Sequence, residues 1–413
     1  MSATPAVADG NDGPVRRVGL ALVGLGGAVA STAVAGLELL RLGGTAEGLP
    51  LAGLDVGGVP LEQATGLVPY HDLVVRGWDL DGSDLHKAAE QHGVLDTRQL
   101  EAAGAALSAL VPWPAAGDED FCRNVSGGNV VLARGRRAQV DAIRADLRRF
   151  RTEESLDGLV LVNLASTERW PDLASPCLQT AAAFEAGLDA DDPSITPAMI
   201  YAYAAITEGV GYGNFTPSLG ADVPALVELA ESRGVPVSGK DGKTGQTMMK
   251  TVLAPAFRSR ALRVEGWYST NILGNRDGLA LDDPASLESK LATKAQALES
   301  VLGYPVEDHV VRIDYYRPRG DSKEAWDAID LVGFLGQRMQ IKVDFQCRDS
   351  ILAAPLVIEI ARLLDLAQQR GEGGVQRHLG WFFKAPMTAD GSTPEHALHR
   401  QETALLNWLA RER

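Results

Sequence analysis

"VGLALVGLGGAVASTAVAGLELL", residues 18–40, opens on six residues without a charge, turns on Gly24, Gly26 and Gly27, and continues as a run of small residues. Two readings compete for it. With Arg16 and Arg17 just ahead, the run has the look of a twin-arginine leader or a weak membrane span. The glycines argue for the other reading, because they fall where a buried parallel strand would meet an amphipathic helix. Glu38 interrupts the apolar run, and a second strand-like run, "LPLAGLDV" (49–56), follows. Strand, glycine turn, helix and strand in that order predict the opening of a dinucleotide-binding unit in an α/β protein.

Glycines at such a turn let the backbone approach a pyrophosphate, whose charge the helix N-terminus stabilises. The candidate cofactor residues are therefore Gly24, Gly26, Gly27, Ala28 and Val29, with Val29 standing where the third glycine of GxGxxG would be. A plain strand–helix turn is the alternative. Asp55, closing the following run, is the candidate acid for ribose hydroxyls, although it lies further downstream than the usual spacing.

Composition narrows the function. The chain has 413 residues, with 54 acidic against 39 basic side chains and a formal charge of −15. That balance repels nucleic acid and anionic membranes. Cys122, Cys177 and Cys347 are widely spaced and odd in number, so neither a disulfide framework nor a CxxC pair is visible, and a cytoplasmic protein is expected. No His/Cys spacing calls for a metal. Residues 1–15 read as a polar tail.

In an acidic chain, a lysine cluster needs a reason. "SGKDGKTGQTMMK" (238–250) contains Gly242-Lys243-Thr244, but a P-loop requires glycine at 237, where Val237 stands. If 243–250 is helical, Lys243, Thr247 and Lys250 share one face, and Lys290 with Lys294 makes a second i, i+4 pair. Asp321 and Lys323 add a mixed-charge group. Clustered ammonium groups lower one another's pKa and pair with phosphate, whereas a solvated helix face is the plainer reading. "NLASTER" (163–169) ends a buried strand, the place where open α/β sheets bind ligands. There Ser166, Thr167 and Glu168 either meet a ligand or cap a helix.

Taken in order, these segments resemble the myo-inositol-1-phosphate synthase family. The resemblance rests on "VGLGGAVAST", "VRGWDLDGSDLHKAA", "NLASTER", "GNFTPSL", "SGKDGKTGQTMMK", "STNILGNRDG", "GDSKEAWD" and "CRDSILAAPLVIEI", and spans residues 18–390. It implies an NAD-binding Rossmann-type domain (16–213) interrupted by an α+β catalytic and oligomerisation domain (214–324). The C-terminal segment (325–413) would return to pack on the first. It implies conversion of glucose 6-phosphate to inositol phosphate by oxidation, enolisation, aldol closure and re-reduction, with NAD bound tightly and recycled, in a homotetramer. Carried over position by position, the catalytic set is Lys243, Lys250, Lys290, Lys294, Asp321 and Lys323. Asp321, Ser166 and Thr167 also serve NAD, and Asn214, Thr216, Asn271, Asn275 and Asp277 complete the substrate pocket.

Three departures leave the substrate open. Lys240 stands where the family has Asp, Met248 where it has Lys, and a further family lysine falls near Gly373, the next lysine being Lys384. Lys384 or Arg370 would then compensate. The alternatives are a variant cyclase that closes fructose 6-phosphate to a five-membered cyclitol phosphate, or a non-catalytic paralogue that binds NAD and sugar phosphates.

Overall fold

The computed structural model describes residues 16–118, 120–123, 125–275 and 298–411. Among the described residues thirteen strands run in chain order: β1 (Val18–Val23), β2 (Asp55–Val56), β3 (Val59–Pro60), β4 (Leu73–Asp79), β5 (Trp113–Pro114), β6 (Gly158–Asn163), β7 (Gly211–Asn214), β8 (Pro236–Ser238), β9 (Arg263–Leu273), β10 (Asp308–Tyr315), β11 (Ser322–Val332), β12 (Arg338–Arg348) and β13 (Gly374–Val375). Seven of them form one parallel sheet in the order β13-β8-β7-β6-β1-β4-β5. Four form a second, mixed sheet in the order β10-β9-β11-β12.

All six residues of β1 are buried, as a strand covered on both faces requires. It lies between β4 and β6, with Val23 opposite Trp78 and Asn163. Helix α1 (Ala28–Arg41) follows, and its small residues, Ala30, Ser31, Ala33 and Ala35 among them, are buried. The opening stretch is thus the centre of a sheet. Among the described residues no helix is long and apolar enough to cross a membrane.

The run 49–56 is not the next strand of that sheet. Pro50 and the left-handed φ values of Gly53, Gly57 and Gly58 break it into turns, and only a two-stranded ribbon, β2 with β3, forms. The strand beside β1 is β4, which the chain reaches after an excursion over residues 42–72.

Further helices are α2 (Leu61–Thr65), α3 (Leu85–His92), α4 (Thr97–Ser108), α5 (Arg136–Glu153), α6 (Ala181–Asp189), α7 (Pro197–Thr207), α8 (Pro224–Arg233), α9 (Gly245–Ser259), α10 (Asp349–Gln369) and α11 (Leu398–Leu409). Helix α10 carries the C-terminal return: it packs on α1, β6 and β7 of the first sheet. It also anchors the excursion. Arg362, almost wholly buried, pairs with Glu359 at 2.7 Å and Glu62 at 2.5 Å, donates to the Val68 carbonyl at 2.7 Å and stacks on Tyr70 at 3.7 Å. A buried guanidinium needs this full set of partners.

Both exchanges between the sheets come later in the chain than 214 and 324. Strand β8 still belongs to the first sheet, and β11 and β12 continue the second to Arg348. Helix α9 begins at Gly245, so Lys243 lies ahead of it and is not on one helical face with Thr247 and Lys250.

Candidate functional site

A cavity of about 320 Å³ opens where the C-terminal ends of β1, β4 and β6 meet the second sheet and the N-terminus of α10. One half is built on the glycine turn. Gly24 has φ +81°, and a Cβ there would stand 3.1 Å from the Leu164 carbonyl oxygen; a Cβ on Gly26 would stand 3.2 Å from the Asp79 carboxyl. These close approaches explain the glycines. Gly24, Gly27, Ala28 and Val29 line the cavity.

The acid of this half is Asp79, not Asp55. Asp79 ends β4 and lines the cavity; its carboxylate accepts from the Gly26 amide at 2.8 Å and the Asp81 amide at 2.9 Å. Asp55 is exposed in the β2–β3 ribbon, accepts from the Gly58 amide at 2.8 Å and is absent from the cavity wall. The 42–72 excursion displaces the expected spacing. The signal that was available is "GWD" closing a strand-like run.

On the neighbouring wall lie Ser166 and Thr167, beyond β6. At the end of β6, Asn163 Nδ2 borders the cavity, buried and without a hydrogen-bond partner. The glycine cradle and this spare donor suit a phosphate-bearing dinucleotide, whose acceptors they would meet.

The other half carries the charged groups. Lys323, on β11, donates to Asp349 at 3.0 Å, and Asp349 also accepts from the Thr244 hydroxyl at 3.4 Å. Asp321, two residues before Lys323, accepts from the Ser350 hydroxyl at 2.8 Å and from Asn275 Nδ2 at 3.3 Å. Burial raises the Asp321 pKa above the ordinary carboxyl value. Lys384 pairs with Asp241 at 2.8 Å, and Asp241 sits at φ +60° with its carbonyl accepting from the Lys384 amide at 2.6 Å. Asn271 donates from Nδ2 to Gln246 Oε1, and its own Oδ1 is buried without a partner. Lys323, Lys384, Asn271, Asn275 and Thr216 all line the cavity.

Other expected residues stand elsewhere. Lys243 and Lys250 are buried but do not line the cavity. Lys243 donates to Gln401 Oε1 on α11, and burial lowers its pKa to about 7. Lys250 meets His309 Nε2 at 2.8 Å and lies over the Trp267 ring at 5.6 Å; burial lowers its pKa to about 8 against the opposing pull of Asp327. Asn214 is held within its own loop, donating to the Ser218 carbonyl at 2.7 Å and accepting from the Thr216 hydroxyl at 3.0 Å. Asp277, Lys290 and Lys294 lie outside the described residues.

The departures also find physical reasons. No side chain fits at 373, because a Cβ on Gly373 would stand 2.5 Å from the Gly234 backbone. A lysine reaches the cavity instead as Lys384, after the 3₁₀ turn Arg377–Phe382. Lys240 is turned away, paired with Asp222 at 2.5 Å and lying 4.7 Å from the Trp170 ring centre. Met248, half-buried on α9, does not line the cavity. Asp241, Thr244, Gln246, Asp349 and Ser350, which the sequence reading did not single out, do line it.

A family model described as myo-inositol-1-phosphate synthase matches residues 52–410. Inositol-3-phosphate synthase 1 of Bacteroides thetaiotaomicron is 39% identical over 398 residues, 93% of each chain. The inositol-3-phosphate synthase of Saccharomyces cerevisiae is 31% identical over 388 residues, covering 85% of this chain and 72% of its own. Among solved structures, inositol-3-phosphate synthase from Caenorhabditis elegans superimposes with a TM-score of 0.88 at 28% identity, over 96% of this chain and 86% of that one. A myo-inositol-1-phosphate synthase-related protein from Thermotoga maritima gives 0.78 at 26% identity, over 96% and 99%.

Proposed function

The chain belongs to the myo-inositol-1-phosphate synthase family, and from that premise we propose how its own residues carry the conversion of glucose 6-phosphate to inositol phosphate. One observation carries the reading: the glycine turn of the first sheet and the Lys323 and Lys384 side chains line a single cavity. A cofactor and a phosphorylated sugar would meet there.

NAD, when bound, supplies a hydride acceptor for the sugar and a hydride donor after ring closure. The Gly24–Val29 turn with Asp79, Ser166 and Thr167 would hold it, and we propose that it stays bound and is recycled through the turnover. Asn271, Asn275 and Thr216 supply neutral donors and acceptors suited to sugar hydroxyls. Lys384 and Lys323 supply positive charge where oxyanions form during oxidation, enolisation and aldol closure. Each lysine is already paired with a carboxylate, Asp241 or Asp349, which fixes its position and gives a partner for proton exchange. Asp321, held by Ser350 and Asn275, lies in the same group and keeps its proposed role beside the cofactor. Lys243 and Lys250 fit a supporting role better than a chemical one, because neither ammonium group lines the cavity.

Two units, exchanging near residues 245 and 348, a homotetramer and a cytoplasmic location complete the proposal. Incubation of the purified protein with NAD and each hexose 6-phosphate, followed by NMR of the products, tests it. A six-membered inositol phosphate from glucose 6-phosphate without net NADH is expected. A five-membered ring from fructose 6-phosphate, or accumulating NADH, would refute it. The motive for a variant cyclase weakens once Lys240 and Met248 are seen to stand outside the cavity.

A further inference from the structure

We infer that Glu168 is a positioning residue of the cofactor half of the cavity: its neutral carboxyl ties the loop after β6 to α7, and its ionisation weakens dinucleotide binding. This rests on the assignment of that half to NAD.

Glu168 borders the cavity and is 5% exposed. Its Oε1 accepts from the Ala198 amide, in the first turn of α7, at 3.1 Å. Its own amide donates to the Ser218 hydroxyl at 3.0 Å, so the loop after β7 is tied to the loop after β6. The joined segments present Ser166 and Thr167, Pro197 and Ala198, and Thr216 and Pro217 to the cavity. Meanwhile the carboxyl group is buried, and beside the Ala198 amide the Thr196 hydroxyl is its hydrogen-bonding neighbour. An ionised carboxylate buried here without a cationic partner would cost far more than the neutral acid, which carries no charge.

Among the described residues, the titratable groups facing it are Asp118 on the loop after β5, Tyr201 on α7 and Tyr212 on β7; none of the three is basic. Burial raises the Glu168 pKa to about 8 against the lowering effect of hydrogen bonds from Thr196 and the Ala198 amide, and the Asp118 charge adds a smaller push upward. A bound dinucleotide adds a diphosphate, which disfavours a nearby carboxylate further. Binding therefore takes up a proton near pH 8.

The test is calorimetric titration with NAD from pH 6.5 to 9.5, in buffers of different ionisation enthalpy. Wild-type Kd should hold level to about pH 7.5 and then rise toward tenfold per pH unit, the limit for one group whose charged form does not bind. About half a proton should be taken up at pH 8. E168Q, which preserves shape and cannot ionise, should flatten both responses while keeping the neutral-pH Kd within a few fold. A pH response in E168Q equal to wild type would overturn the inference. So would a wild-type Kd that is level to pH 9.5, a result that needs no folded variant. Failure of NAD to bind at any pH would overturn the cofactor reading itself, and this inference with it.

Discussion

Replacing Lys243 by methionine should make the protein more stable. Lys243 is 4% exposed, its ammonium partner is the neutral amide of Gln401, and burial alone lowers its pKa from 10.5 to about 7. Between those values the unfolded chain binds a proton that the folded chain does not, so stability rises with pH across that window. The penalty is absent above pH 10.5 and complete below pH 7. At pH 8, 2.5 units of deprotonation at about 1.4 kcal/mol each cost about 3.5 kcal/mol. Methionine removes that cost and keeps the aliphatic stem. Stranding the Gln401 carbonyl oxygen takes back about 1–3 kcal/mol. A net gain of roughly 1–2 kcal/mol at pH 8 is expected, or about 1–3 °C in Tm at an unfolding entropy of about 2.1 cal/mol/K per residue. Differential scanning calorimetry of both proteins from pH 6.5 to 10 checks it: the advantage should be largest near pH 7 and vanish by pH 10. A lower Tm for K243M throughout, or a difference independent of pH, would refute the reasoning. Because the side chain stands outside the cavity, kcat should stay within about threefold; a loss of about 10²-fold or more would return Lys243 to the chemistry.

Lys384→Met should lower kcat with glucose 6-phosphate by about 10²–10⁴-fold, and it should also destabilise the fold, because the buried Asp241 carboxylate loses its ammonium partner; product assay and denaturant titration read the two effects. Asp79→Ala removes the acceptor of the Gly26 amide and should weaken NAD binding at least about tenfold by calorimetry, whereas Asp55→Ala should leave it unchanged. Met248→Lys, a change on a half-buried position outside the cavity, should leave turnover within about threefold, and a large gain in rate would show that the departure at 248 matters.

The family, the NAD-binding fold and the glycine turn were legible in the sequence. The reason is that each depends on local features: a buried strand must be apolar, a left-handed Gly24 cannot be replaced cheaply, and the order of the motifs is carried by the chain itself. Lys323, Asp321, Asn271 and Asn275 were legible through the same motifs, and the structure gathers them at or beside one cavity.

Direction and distance across the sheet were not legible. Which acid stands beside Gly26 depends on which strand neighbours β1, and the 42–72 excursion hands that place to Asp79 rather than Asp55. Spacing put Lys243 on a helical face, but α9 starts two residues later and the amine turns toward Gln401 on α11, 158 residues away in sequence. The lysine sought near Gly373 is excluded by the packing of Gly234 and supplied by Lys384. Sequence by itself determined which chemistry-bearing residue types this protein owns and the fold that carries them. Only the tertiary structure decided which of them face one space, because burial, pairing and side-chain direction arise from contacts between segments far apart in the chain.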